Sequence, residues 1–334
     1  MKIGVQISFA LGLGAVIALV AIEGAGAIAS LLVGAGWKLV LLVPLQTLPL
    51  LLDVLGWRSV ILGRIALPAL FLIACIRQAI NRLLPVANVG GEIVGIRLLV
   101  QQGVEGASAG ASIVVELLLS LFAQYAFVAI GVVCLFSRTD NLRVIKALGI
   151  GLAAALPPLV LMIVVVRSGR VFHRVERLAE RLLRPWLNEH REFDYGARVD
   201  AVVRETFAAP SRLSRALGWQ IAGLIAGSSE TWLALRWLGH PVGFSDALVL
   251  ESLTQAAKSV LFMVPSALGV QEAGLIGVGL LLGLGSDVAL ALSLAKRMRE
   301  VLFGLPSLLA WQWIEGRKIF LHVRRRNEPQ GRRD

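Results

Sequence analysis

The sequence is poor in charged residues, cysteine and histidine, and each shortage excludes a class of protein. Charged residues make up 16% of the 334 positions, against about a quarter in an average soluble domain. Two cysteines give no disulfide framework, and four scattered histidines form no metal-binding cluster. No glycine-rich loop ends in the Lys-Ser or Lys-Thr that binds nucleotide phosphates. We therefore expect no metal and no cofactor.

Hydrophobic residues are abundant instead, and they predict an integral membrane protein. They make up 57% of the chain, with a mean hydropathy of +0.76. About 20 helical residues cross the hydrocarbon layer of a bilayer. The pattern predicts an all-α, polytopic transmembrane helical bundle with six crossings. These lie at about 3–22, 37–56, 108–136, 144–166, 216–238 and 288–314. The first, after Lys2, is longer than a typical signal-peptide core, so we expect a retained span.

Two polar interruptions, one in each half of the chain, stand inside otherwise apolar sequence. One runs from Pro85 to Glu92 and the other from Pro265 to Glu272, each with glycine between the proline and the glutamate. Proline and glycine free backbone groups that hydrocarbon cannot satisfy, and a carboxylate there must face protein or water. We name the surrounding segments hairpin one, about 66–103, and hairpin two, about 247–283. The pattern is typical of transporters built from repeats around broken helices. It favours re-entrant hairpins, although full crossings stay possible.

Arginine placement predicts the orientation of the chain. The block 167–217 holds eleven arginines against seven acids, and residues 317–332 hold five arginines and a lysine. Both should be cytoplasmic in a bacterial inner-membrane protein, with both termini inside. Counting crossings from these blocks makes hairpins one and two enter from opposite faces, as inverted repeats. The basic residues responsible for the net charge of +11 flank membrane spans. We therefore expect anionic lipid headgroups, and not nucleic acid, as partners.

This orientation divides the chain into two transmembrane halves and two basic segments. The halves are 1–166 and 216–316; the basic segments are 167–215 and a cytoplasmic tail, 317–334. Within the first basic segment, apolar residues recur at helical spacing opposite arginines. This predicts an amphipathic helix, either on the membrane surface or merely solvated.

Hairpin one contributes polar candidates for a site. Arg77 and Asn81 share a helix face that leads into the break. Glu92 follows the glycines of the second half-helix, where it either caps its own helix or contacts a ligand or ion. The candidates associated with this hairpin are Arg77, Asn81, Asn88, Gly91, Glu92, Arg97 and, in the next span, Glu116, with Pro85 and Gly90 as helix-breaking residues.

Hairpin two repeats the arrangement. Glu251, Gln255 and Lys258 lie on one helix face, where the glutamate and the lysine could pair. Four charges near the middle of the last span must face a polar interior, either as a headgroup site or as a salt-bridge network between the repeats. The candidates are Glu251, Gln255, Lys258, Gln271, Glu272, Lys296, Arg297, Arg299 and Glu300, with Pro265 and Gly269 at the break.

The motif from Ile76 to Glu92 resembles the central motif of the lysylphosphatidylglycerol synthase transmembrane (flippase-like) family. The stretches 35–39, 50–58, 264–272, 291–300 and 311–313 support the resemblance, which covers about 35–316. Within that family the chain is most similar to membrane proteins encoded with hopanoid-biosynthesis enzymes. The resemblance implies an inner-membrane protein that moves lipids between leaflets. The soluble transferase domain of the bifunctional synthases is not seen, so lipid aminoacylation is not implied.

Three functions are compatible with these patterns. The leading hypothesis is a lipid transporter or flippase, not an enzyme, linked to hopanoid or envelope lipids and possible as a homo-oligomer. A membrane-embedded lipid-modifying enzyme could use Glu92 or Glu272 as a general base, but no nucleophile with a matching base is visible. A non-transporting scaffold of hopanoid biosynthesis is the third.

Overall fold

A computed structural model describes residues 25–84, 90–136, 156–168, 195–260 and 269–327, with a few single residues between 146 and 176. Every element in these ranges is helical, which confirms the all-α prediction. The predicted first span, both motif prolines and most of the basic amphipathic segment lie outside the described residues.

The first half begins with a nearly continuous helical stretch. It comprises α1 (Ala25–Ala35), a 3₁₀ helix (Gly36–Leu41), α2 (Leu42–Leu45) and α3 (Thr47–Val60). Hairpin one follows as α4 (Leu67–Leu83) and α5 (Gly90–Gln101), and then comes the long helix α6 (Gly106–Phe136).

The second half repeats this order after α7 (Leu156–Arg167) and α8 (Tyr195–Phe207). The next helix is α9 (Pro210–Trp237), and hairpin two consists of α10 (Phe244–Val260) and α11 (Val270–Leu281). The last helix is α12 (Ser286–Asn327), which contains Pro306.

Two described stretches are long and apolar enough to cross a membrane. Ile28–Val60 has a mean hydropathy of 2.0, and Gly106–Phe136 has one of 2.2. Large apolar side chains such as Trp37, Val133 and Trp313 are exposed on the helix surfaces. Such a surface suits an apolar solvent better than water.

The second helix of each hairpin and the start of the long helix after it keep a constant offset in sequence. As many residues separate the start of α5 from the start of α11 as separate the ends of these two helices. The starts of α6 and α12 are the same number of residues apart. The turns between these helices match as well. Gly103 and Gly283 have positive φ angles of 89° and 76°, the left-handed conformation that glycine adopts without steric cost.

The backbone hydrogen bonds at these turns are also equivalent. The amide of Val104 donates to the Leu99 carbonyl at 3.2 Å, and the amide of Leu284 donates to the Gly279 carbonyl at 2.8 Å. This six-to-one bond is the Schellman motif, which satisfies the free carbonyls at a helix end. The two halves therefore form an internal repeat in their backbone.

Packing between the halves is reciprocal. Helix α4 packs on α12 and α10 packs on α6, while α3 lies along α9. Each broken hairpin therefore rests on the long helix of the other half. The buried apolar side chains form one cluster around Trp57, another around Leu290 and a smaller one that joins α6 to α10. The polar residues of both hairpins meet between these clusters.

Candidate functional site

A cavity of about 340 Å³ lies beside hairpin one and is strongly polar for a membrane protein. Helices α3, α4, α5, α6 and α9 supply most of its walls. We call it the larger lobe. Its charged and amide side chains are Gln46, Asp53, Arg77, Gln78, Asn81, Arg82, Glu92, Glu116, Gln124 and Gln220.

Arg77 is the central cation of the larger lobe. It is 7% exposed, and its Nη2 pairs with the carboxylate of Glu92 and, at 2.8 Å, with that of Glu116. The guanidinium also lies over the Trp57 ring, 4.3 Å from the ring centroid, a distance that gives cation–π attraction. Two buried carboxylates around one guanidinium partly offset the desolvation of all three groups.

The start of α5 is capped by a neighbouring helix. The Gly91 amide donates to Asn81 Oδ1 at 2.9 Å, while Asn81 Nδ2 donates to Glu92 at 3.1 Å. A Cβ on Gly91 would lie 2.5 Å from the Arg77 carbonyl oxygen. Glycine is therefore required for the close approach of α5 to α4. The first-turn amide is thus capped by Asn81, and Glu92 is bound by side chains of α4.

A second cavity, of about 140 Å³, lies beside hairpin two. We call it the smaller lobe. In its wall, Glu251 accepts hydrogen bonds from Lys296 and, at 2.6 Å, from Thr231. Lys258 donates to Gln271 Oε1 at 3.0 Å. The structure therefore shows contacts of Glu251 and Lys258 with other helices, not the pairing along one helix face that their spacing allows.

Glu272 has one of the two roles that were considered for Glu92 from the sequence. It is 1% exposed and caps its own helix, accepting the Gly269 amide at 2.8 Å. Its other oxygen accepts the Ser293 hydroxyl at 2.9 Å and faces Arg297 at 3.3 Å. Gly269 has a φ of +79°, so the chain turns into α11 through the left-handed region.

An ion pair and a hydrogen bond join the halves beside the two lobes. Arg82 of hairpin one faces Glu300 of α12 at 3.4 Å. Arg299 of the same helix pairs with Glu230 of α9 at 2.9 Å and hydrogen-bonds to Gln46. The charges of α12 thus belong to a salt-bridge network that reaches hairpin one through Arg82, and Lys296, Arg299 and Glu300 also line the smaller lobe. The alternative of a headgroup site stays a prediction.

Most of the candidate residues named from the sequence line one lobe or contact a residue that does. Gln255 lines the smaller lobe. Arg97 lies elsewhere: its side chain is 64% exposed and pairs with Glu315 at 2.9 Å. Gly90 begins α5. Asn88, Pro85 and Pro265 lie outside the described residues.

Several cavity residues were missed from the sequence. Asp53, Gln46, Gln78, Gln220 and Glu230 all line a lobe. Asp53 had a visible signal, because it is an acid within the apolar run from Leu50 to Leu55. The glutamines had none, since an isolated amide between apolar residues is compatible with many roles. In the described part of the chain, no three acidic, histidine or cysteine side chains are grouped to hold a metal.

Comparison with known proteins identifies the family. The model of the family described as "Lysylphosphatidylglycerol synthase TM region" matches residues 5–307. No curated protein and no solved structure matched the chain. The match covers nearly all of the sequence and both hairpins. The chain therefore belongs to the lysylphosphatidylglycerol synthase transmembrane-region family, a family of membrane proteins connected with lipid synthesis or flipping.

Proposed function

We propose that this protein is a lipid transporter or flippase whose two lobes conduct a lipid headgroup while the tails stay in the bilayer. The observation that carries the proposal is a polar cavity whose walls come from both repeats. Gln46, Gln78 and Arg82 line both lobes, as do Pro49, Gly223 and Leu224. A headgroup leaving one lobe would therefore enter the other along a wall that the two lobes share.

A purely structural role for these polar side chains would not require such a cavity. Buried ion pairs often stabilise a fold no better than apolar residues of similar volume. A membrane protein that keeps this many ionisable groups around open space favours a polar ligand. Broken helices at the centre of each repeat are the usual place for such a site in transporters.

The setting of the proposal follows from the sequence. The basic segments favour a bacterial inner membrane with cytoplasmic termini, and the hairpins would then be inverted re-entrant elements. The resemblance to membrane proteins encoded with hopanoid-biosynthesis enzymes favours hopanoid or envelope lipids as cargo.

Leaflet exchange in proteoliposomes tests this function. Purified protein is reconstituted with acyl-labelled lipids, and exchange is followed by chemical quenching of the outer leaflet. Glu92→Gln should slow exchange at least tenfold, because it removes a charged carboxylate from the larger lobe. Arg97→Gln is the matched control on the same helix, outside both lobes, and should exchange at the wild-type rate.

Other outcomes separate the competing functions. A covalently altered lipid in mass spectra of the reconstituted sample would favour a lipid-modifying enzyme. Exchange that is equal with and without the folded protein would contradict transport and favour a scaffold.

A further inference from the structure

Each lobe contains one charged side chain without an ion-pair partner among the described residues. In the larger lobe this is Asp53, on α3, which has no described cation within ion-pair distance. In the smaller lobe it is Lys258, whose ammonium donates to the neutral amide of Gln271. The other cavity charges have partners of opposite sign. A buried charge without a partner is costly, so each is a candidate for a ligand of opposite charge.

Unpaired acceptors accompany Asp53 in the larger lobe. Gln220 hydrogen-bonds to the Asp53 carboxylate and is 4% exposed, and its Nε2 donates to Ser120 Oγ at 3.0 Å and to the Glu116 carbonyl at 3.3 Å. These two bonds fix the amide orientation and leave Oε1 without a donor in the described part of the chain. Gln78 Oε1 is buried in the same way. A carboxylate and two carbonyl oxygens all require N–H or O–H donors.

A hydroxyl accompanies Lys258 in the smaller lobe. Thr254 is 4% exposed and lies one helical turn before Lys258 on α10. It lines the lobe, and its Oγ1 has no partner within the described residues. A hydroxyl can donate to an acceptor. An ammonium and a free hydroxyl on one helix face suit an anion with several oxygens, such as a phosphate.

The total charge of each lobe has the same sign as its unpaired residue. Three carboxylates face the larger lobe, against Arg77 and the shared Arg82. Three carboxylates also face the smaller lobe, against four cations: Arg82, Lys258, Lys296 and Arg299. A headgroup that carries only negative charge would be repelled by the larger lobe, and one that carries only positive charge by the smaller lobe.

From these contacts we propose that the cavity binds a zwitterionic phospholipid headgroup with a primary ammonium and a phosphate, as in phosphatidylethanolamine. The ammonium lies against Asp53 and the carbonyl oxygens of Gln220 and Gln78, and three N–H groups match three acceptors. The phosphate lies against Lys258 and Thr254. This assignment rests on the proposed transport function and names its substrate class.

Substrate comparison on the unmodified protein tests the assignment without any variant. Three acyl-labelled lipids are reconstituted in parallel: phosphatidylethanolamine, its N-acetyl derivative and phosphatidylglycerol. All carry the phosphate, and only the first carries an ammonium. Phosphatidylethanolamine should exchange at least tenfold faster than the other two. Equal rates for all three would overturn the headgroup assignment while leaving transport standing, whereas no exchange of any of them would contradict the transport function itself.

Two variants assign the charges to their lobes. Asp53→Asn should remove the preference for phosphatidylethanolamine and bring the three exchange rates together, because it takes away both the counter-charge of the ammonium and the net negative charge that repels the other two lipids. Lys258→Met should slow exchange of all three lipids, because each has the phosphate. Size-exclusion profiles and tryptophan fluorescence establish that both variants are folded. A folded Asp53→Asn protein that still prefers the ammonium lipid tenfold would overturn the assignment.

Discussion

The described helices of hairpins one and two match in length, but their ion pairs place the cation and the acid in opposite order along the chain. In hairpin one, the cation Arg77 lies on the first helix, and the acids Glu92 and Glu116 come from the helices that follow. In hairpin two, the acid Glu251 lies on the first helix, and the cation Lys296 comes from the long helix. Glu116 and Lys296 are themselves related by the sequence offset that separates the starts of α6 and α12. This pair of equivalent positions thus carries opposite signs, whereas Glu92 and Glu272, which the same offset relates, are both acids.

The difference shows which features a repeat must keep and which it can exchange. Helix ends and turns depend on local backbone geometry, so positive-φ glycines and Schellman bonds recur at the same offset. A buried ion pair requires only that its two members meet. Its polarity can therefore be reversed if both partners change. Among the lining residues, the larger lobe has one more acid than cations and the smaller lobe has one more cation than acids.

The largest expected difference between the halves comes from removing the central cation of each. Arg77→Met leaves Glu92 and Glu116 buried without their guanidinium and should lower the free energy of unfolding by about 3–5 kcal/mol. Lys296→Met should cost less, about 1–3 kcal/mol, because Thr231 still donates to Glu251 at 2.6 Å. Equilibrium unfolding in mixed detergent micelles, followed by tryptophan fluorescence, measures both.

The control for these two variants is to neutralise the acids that Arg77→Met leaves without a cation. Glu92→Gln and Glu116→Gln, added to Arg77→Met, should restore part of the lost stability, since they remove the unpaired charges. If Arg77→Met were as stable as the wild type, Arg77 would not hold the two carboxylates together in the folded protein.

The sequence predicted the helices and the site to different degrees. Proline, glycine and glutamate in apolar surroundings mark a helix break wherever they occur, so both hairpins could be located without a structure. The partner of a buried charge is different, because it depends on which helices pack together. Glu251 and Lys258 share a helix face on which they could pair, yet their partners Lys296 and Gln271 come from α12 and α11.

Asp53 and Arg97 also show that the sequence does not say which residues line the cavity. Arg97 is a charge beside a motif and was included as a candidate, but its side chain lies outside both lobes. Asp53 lies far from either motif and was left out, although it lines the larger lobe. Only the packing of α3 along α9 brings it there. Distance from a motif in sequence is therefore a poor guide to the cavity.

The second prediction concerns how closely the helices of each hairpin approach. Gly91→Ala should cost about 1–3 kcal/mol, because its Cβ would overlap the Arg77 carbonyl oxygen and Asn81 Oδ1 at 2.5 Å. Gly277→Ala in α11 is the control: a Cβ there has no neighbour within 4 Å. It should be neutral or slightly stabilising, since alanine favours helix. Thermal unfolding in detergent compares the two, and equal effects would contradict the close contact in hairpin one.

The smallest expected difference concerns the helix caps. Hairpin one caps α5 with a side chain of α4, so Asn81→Ala leaves the Gly91 amide without its acceptor and should cost about 1–2 kcal/mol. Hairpin two caps α11 with its own Glu272, which keeps the Gly269 amide and Arg297 when Ser293→Ala removes one donor. That change should cost less, about 0.5–1 kcal/mol. Hydrogen exchange at the two helix starts would show the cause, since only Asn81→Ala should speed exchange at the first amides of α5. Faster exchange at α11 in the Ser293→Ala protein would instead mean that the cap of hairpin two also depends on its neighbour.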